Sequence, residues 1–211
     1  MRYYFKWLPL LFIVSCTSDD RQSYDQILAK GTLTDRGYSN SYFNFSVVIP
    51  KNWLILNKEE IESRNKMGSE LLSESVDMGD TTANKAPKFL VNINKYRQDA
   101  QEAWQGNAGF QISFVKREYF PGETGVSFLN KAKSLLTSSP LFKNFSEIKE
   151  EKISGQVFLT RTSELHLKGF TVLQKNYLLE TKDCFLFIDT SYRGEFVKPE
   201  LDRIIDSIQF D

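Results

Sequence analysis

The chain has 211 residues, with 27 Lys plus Arg balanced by 27 Asp plus Glu, so it is formally neutral at pH 7. With 41% hydrophobic and 14% aromatic residues it has enough apolar material for one core, which excludes wholesale disorder. A neutral chain without a concentrated basic stripe lacks the cationic face that nucleic-acid binding requires, so no nucleic-acid partner is expected.

The amino terminus carries positive charge at Arg2 and Lys6, followed by the apolar run Trp7-Leu8-Pro9-Leu10-Leu11-Phe12-Ile13-Val14. That run has the length of a signal-peptide core and falls short of the roughly 20 residues a spanning helix needs. Ile13-Val14-Ser15-Cys16 resembles the lipobox of bacterial lipoproteins: two aliphatic positions, a small residue, then cysteine. The resemblance implies a signal peptide over 1–15, cleavage between Ser15 and Cys16, and a diacylglyceryl group on the Cys16 thiol. Each buried methylene adds about 0.8 kcal/mol, so several acyl chains hold the protein to the membrane through covalent lipid. The alternatives are an ordinary secretory signal with a chance cysteine, or an uncleaved anchor. Thr17-Ser18-Asp19-Asp20 is similar to acidic patches that route some Gram-negative lipoproteins to the cell surface, although a solvated tether is the preferred reading.

After cleavage about 195 residues remain, the size of one domain. Residues 17–26 read as a tether, so 16–37 is expected to be a lipidated, extended leader to a globular domain at 38–211. Tyr42-Phe43-Asn44-Phe45-Ser46-Val47-Val48-Ile49 reads as a strand closed by Pro50, and Pro50-Lys51-Asn52-Trp53 as a turn. Asn57-Lys58-Glu59-Glu60 is a capping box before a polar surface helix with Ile61, Met67, Leu71 and Leu72 on its thin apolar face. Residues 76–87 form the least structured internal stretch. Strands are expected at 88–96 and 110–119, separated by a polar insertion around Trp104 to Gly109. A helix follows, with Phe128, Leu129, Ala132, Leu135 and Leu136 at helical spacing.

The last third predicts a meander: one strand over Phe145–Lys152, a longer one over Ile153–Lys168, and a return from Gly169 through Leu179. Cys184-Phe185-Leu186-Phe187-Ile188 is apolar at every position, which marks a strand buried on both faces. A final helix starts near Pro199, with Leu201, Ile204, Ile205 and Ile208 at i, i+3, i+4 and i+7. These elements predict an α+β fold, an antiparallel sheet with helices on both faces.

Tyr42 to Trp53, an aromatic strand followed by Pro-x-x-Trp, resembles the opening of PsbP-like domains. Leu201-Asp202-Arg203-Ile204-Ile205-Asp206-Ser207-Ile208-Gln209-Phe210 is similar to that family's last helix and its terminal Ser-Ile-x-Phe. The resemblance runs over residues 38–211 as a pattern and is motif-like only at its two ends. It implies the α/β/α sandwich that PsbP-like domains share with Mog-type factors that bind Ran, and a binding or accessory module instead of an enzyme. No residue matches the photosystem or Ran-binding surfaces, so no functional residue is carried over.

The chemistry-bearing residues are few. His166 is the only histidine, which rules out sites needing two imidazoles, and Glu164-Leu165-His166-Leu167-Lys168 alternates like a half-exposed strand. Cys184 sits in an apolar strand and reads as a buried, inert thiol; with Cys16 lipidated it has no disulfide partner. Glu59-Glu60-x-Glu62 suits a helix start, and Glu147-x-x-Glu150-Glu151 alternates with Lys149 and Lys152 as solvated strand faces do. Asp80-Thr81-Thr82 resembles a short O-glycosylation sequon, with a plain loop preferred. No catalytic residue, cofactor or metal ligand set is expected. The expected function is a membrane-anchored envelope lipoprotein, most simply in the outer membrane, acting as a non-catalytic protein-binding or complex-accessory module. The alternative is a small-molecule-binding lipoprotein or degenerate enzyme using a pocket beside the sheet.

Overall fold

The computed structural model describes residues 22–57, 59–63, 86–96, 106–167 and 169–211. In chain order, α1 (Tyr24–Leu28) leads into β1 (Gly31–Thr34), β2 (Gly37–Asn40), β3 (Phe45–Val48) and β4 (Leu54–Ile55). A helical turn at 59–63 is followed by β5 (Lys88–Asn94), β6 (Asn107–Lys116) and α2 (Gly125–Thr137). Then come β7 (Phe142–Lys143), β8 (Lys149–Ile153), β9 (Gln156–Leu167), β10 (Phe170–Glu180), β11 (Cys184–Arg193), α3 (Lys198–Asp206) and β12 (Gln209–Phe210). The larger sheet runs β4-β5-β6-β11-β10-β9-β7, with β8 also paired to β9, and the smaller runs β1-β2-β3-β12. Every pairing among these strands is antiparallel.

β11 decides the layering. Cys184, Leu186 and Ile188 face a core shared with Phe110, Ile112 and Phe114 of β6, Leu201 and Ile204 of α3, and Phe45 and Val47 of the small sheet. Phe185 and Phe187 face the opposite way, onto Leu129 and Phe128 of α2. A strand this apolar is stable only with both faces covered, and here α3 and α2 supply the two covers. The antiparallel α+β class expected from the sequence is the one observed.

Local chemistry accounts for the ends of these elements. Glu60 N–H donates to Asn57 Oδ1 (2.9 Å) and Asn57 N–H to Glu60 Oε2 (2.8 Å), the reciprocal bonds of a capping box. Ser154 (φ 47°) and Gly155 (φ 81°) turn β8 into β9 as a two-residue hairpin with both residues left-handed. Gly125 opens α2 where a Cβ would lie 2.8 Å from side-chain carbons of Leu159 and of Leu178, so the helix seats this low only without a side chain there. Pro199 occupies the first turn of α3. Glu200 then joins three elements: it accepts from Trp53 Nε1 (3.0 Å) and from Lys95 Nζ (2.9 and 2.7 Å). The Pro-x-x-Trp turn thus fastens the indole, 4% exposed, to the last helix.

Several expectations need correction. The folded domain starts at α1, not at Tyr38: Ile27 is 0% exposed, Tyr24 packs on Phe114, and Asn40 Nδ2 donates to Ile27 O (3.2 Å). Five helical residues are too few to stand alone, and α1 forms because Ser23 and Gln26 cap it reciprocally while Ile27 fills the core. The strand expected from Tyr42 begins at Phe45, because Asn44 is left-handed (φ 50°) and Asn40 Oδ1 accepts from Tyr42 N–H (3.0 Å) in a turn. Phe145–Lys152 is not one strand: Asn144 (φ 52°) ends β7, and Ser146 bonds with the backbone of Thr162 before β8 begins. Asn107–Gly109 belongs to β6 and not to an insertion, and that strand ends at Lys116 in a 3-10 turn at Arg117–Tyr119. Met67, Leu71, Leu72, Trp104 and all of 76–85 lie outside the described residues.

Two measurements test this packing. Ile27→Ala is expected to cost about 2–4 kcal/mol in urea unfolding, the range for a buried aliphatic truncation; no change would restore the leader over 16–37. Lys95, with burial opposing and Trp53 assisting, holds the Glu200 carboxyl below its usual range. That stabilisation is present above the ordinary glutamate pKa and is lost as pH falls through the lower folded value. Glu200→Gln should therefore flatten the acid side of the stability curve.

Candidate functional site

α3 lies over the β9–β11 end of the larger sheet, and between them opens a cleft of about 300 Å³. Thr162, Glu164, Lys175, Tyr177, Asp202 and Ile205 are among the side chains lining it. The strand residues come from one face by the period of two, since Thr162 pairs with Lys175 and Glu164 with Leu173. Lys175 Nζ lies 4.7 Å from the Tyr177 ring centre and 2.7 Å from Glu151 Oε2. Burial lowers the affinity of that ammonium for its proton, but Glu151 and Tyr177 outweigh it and hold the lysine above its usual range. Lys198 pairs with Asp202 one turn on (2.6 Å). The cleft therefore offers apolar floor from Leu173, Leu201 and Ile205 and balanced charge at its rim, suited to contact with an amphipathic segment.

The residues singled out in the sequence are dispersed. His166 is half-exposed on β9 and its Nε2 lies 2.8 Å from Glu164 Oε2. Glu164 is kept below the usual carboxylate range by Asn144 and then by His166. Cys184 is fully buried and its thiol is pushed up to about 11 by burial, as an inert thiol should be. Glu151 is engaged by Thr160 Oγ1 (3.1 Å) and Lys175, while Glu147 and Glu150 are exposed, so the acidic run forms no carboxylate pair. Ser15, Cys16 and Asp80-Thr81-Thr82 lie outside the described residues.

A polar row on the opposite face has no local signature in the chain. Asn92, Gln111, Asp189, Asn176 and Arg161 stand side by side on β5, β6, β11, β10 and β9. Asn92 Nδ2 donates to Gln111 Oε1 (3.0 Å) and Gln111 Nε2 to Asp189 Oδ2 (3.0 Å); from the other side Asn176 Nδ2 donates to Asp189 Oδ1 (2.6 Å). Two residues along each strand, on the same face, Asn94, Gly109, Ser191, Gln174 and Ser163 form a parallel polar row. Burial raises the Asp189 carboxyl above the usual aspartate range, with the Asn176 and Gln111 amides only partly opposing it. A single acid following Phe185–Ile188 reads as a strand end, and only the register of five strands reveals the row.

Among the described residues no helix is long and apolar enough to cross a membrane, and no group of His, Cys, Asp and Glu side chains is placed to hold a metal ion. No protein-family model matches the chain, and no curated protein matches it. Among solved structures it is similar to cyanobacterial PsbP (CyanoP) from Synechocystis, with TM-score 0.46 and 13% identity over 83% of this chain and 92% of that one. LpqN of Mycobacterium tuberculosis, involved in cell envelope biogenesis, gives TM-score 0.47 and 12% identity over 78% and 82% of the two chains. A Pseudomonas aeruginosa protein of unknown function, a putative regulator, gives TM-score 0.40 and 12% identity over 48% and 71%.

The row predicts a pH effect. Because the folded state keeps the Asp189 proton to higher pH than the unfolded chain does, stability falls as pH rises from the ordinary aspartate range to the raised folded value. Asp189→Asn removes the titration, with the Asn176 amide turning to accept. Urea melts at several pH values should show the variant gaining on the parent across that window and holding a constant lead above it. Parallel curves would reject the buried-carboxylate assignment.

Proposed function

We propose that the protein is a lipid-anchored envelope lipoprotein whose domain works as a non-catalytic binding or accessory module for a protein partner at the membrane surface. The observation that carries this reading is the short distance between the lipidation motif and the fold. Capping of α1 begins at Ser23, so only residues 17–23 separate Cys16 from the packed domain. Fully extended, that link reaches at most about 25 Å, which keeps the domain against the lipid surface. A domain held so close is suited to a partner seated in or on the same membrane, and the cleft beneath α3 is the face offered to it. The acidic Thr17-Ser18-Asp19-Asp20 and the lipobox are compatible with an outer-membrane location, facing either the periplasm or the surface.

In cells fed a clickable fatty acid, the parent protein should be labelled, and Cys16→Ser should be unlabelled and remain an unprocessed precursor. Normal cleavage and release of that variant would sink the lipoprotein reading. The docking face is tested by placing a photo-crosslinker at Leu173 in the cleft and, as a comparison, at Val126 on α2. A discrete adduct from the first position only is expected; the same adducts from both, or none from the cleft, reject the assignment.

A further inference from the structure

The polar row on the α2 side of the sheet contains two charges that do not meet. Asp189 on β11 and Arg161 on β9 are separated by Asn176 on β10 alone. Two interstrand steps put their Cα atoms about 10 Å apart, a gap an extended arginine side chain could narrow. Instead the Arg161 guanidinium turns to α2, donating to Leu129 O (2.7 Å) and Asn130 Oδ1 (2.8 Å), while its buried Nε is left without a partner. Arg161 is 5% exposed, so α2 holds it firmly away from the carboxylate.

Asp189 consequently has neutral partners only, one amide on each oxygen. A carboxylate accepts about four hydrogen bonds, so each oxygen keeps a free lone pair, and the Asn176 Oδ1 beside them adds a third acceptor. Three neighbouring acceptors carrying one negative charge match an ammonium group in number and sign, with its three donors and one positive charge. They do not match an anion, and one carboxylate is too few for calcium, which takes six to eight oxygens. The exposure along the row agrees with a site open at its middle. Gln111, Asp189 and Asn176 are half-buried, whereas Asn92 and Arg161 at the flanks are buried.

We propose that the centre of this row is a binding site for the ammonium group of a small soluble amine, with Asp189 as its counter-ion and Asn176 Oδ1 as its orienting acceptor. The site lies on the face away from the α3 cleft and stands independently of the function proposed for that cleft. It is tested by thermal unfolding and calorimetry on the detergent-solubilised full chain, titrated with putrescine and n-propylamine, and with n-propanol and sodium chloride as neutral and ionic controls. The amines should raise the melting temperature saturably at millimolar concentration, and the controls should not. Asp189→Asn should weaken amine binding about tenfold or more, the effect of losing a charge-assisted contact, while Glu164→Gln in the cleft leaves it unchanged. If Asp189→Asn does not fold, Asn176→Ala takes its place, with a several-fold loss expected. An absent or unsaturable response to both amines, or equal affinity in parent and row variant, overturns the proposal.

Discussion

The fold depends on one constraint: β11 is apolar on both faces over Cys184–Ile188 and cannot be left open on either. Each face demands a cover, and the two covers differ. On one side α3 and the small sheet close over Phe110, Ile112, Phe114 and Leu186. On the other, α2 lowers Leu129 and Phe128 onto Phe185 and Phe187, allowed to do so by the missing side chain at Gly125. Beyond Ile188 the same strand changes character: Asp189 and Ser191 face the α2 side, and Thr190 and Tyr192 face the cleft. Both candidate sites therefore begin where the two-sided burial of one strand ends.

The parts legible in the sequence are those encoded by neighbours in the chain. The Asn57–Glu60 capping box, the helix around Leu129, the last helix with Leu201 and Ile204, and the dry strand at Phe185–Ile188 are each specified within about ten residues. The parts that were not legible rest on distant contacts. α1 has one fully buried residue, Ile27, and no amphipathic period long enough to register, so its stability comes from Phe114, Tyr119 and Asn40. The break between β7 and β8 hangs on a left-handed Asn144, a conformation that asparagine tolerates without requiring it. The polar row draws one residue from each of five strands, and no local window contains two of its members. The same holds for the Glu200 junction, whose partners Trp53 and Lys95 lie 147 and 105 positions away.

Moving the start of the domain from Tyr38 to Tyr24 changes the relation between anchor and fold more than it changes the fold. A leader of twenty residues would let the domain sample a wide shell of solvent. In the proposed reading, with lipid on Cys16, only residues 17–23 would separate anchor and domain, and the two would act as one unit with a preferred side toward the membrane. On that reading α1 would be the membrane-proximal element, and its tertiary contacts, Tyr24 stacked on Tyr119 and tilted against Phe114, would carry any pull on the lipid into the larger sheet.

The row from Asn92 to Arg161 also constrains how this sequence can change. Each amide donates to the next member, so replacing one residue reverses or removes a donor and leaves its neighbour facing the wrong atom type. Compensation requires turning an adjacent amide, which passes the mismatch along to the following strand. The four positions Asn92, Gln111, Asp189 and Asn176 are therefore coupled through their hydrogen bonds, so that a change at one is felt by the next, while Arg161, bonded to α2, stands outside that coupling.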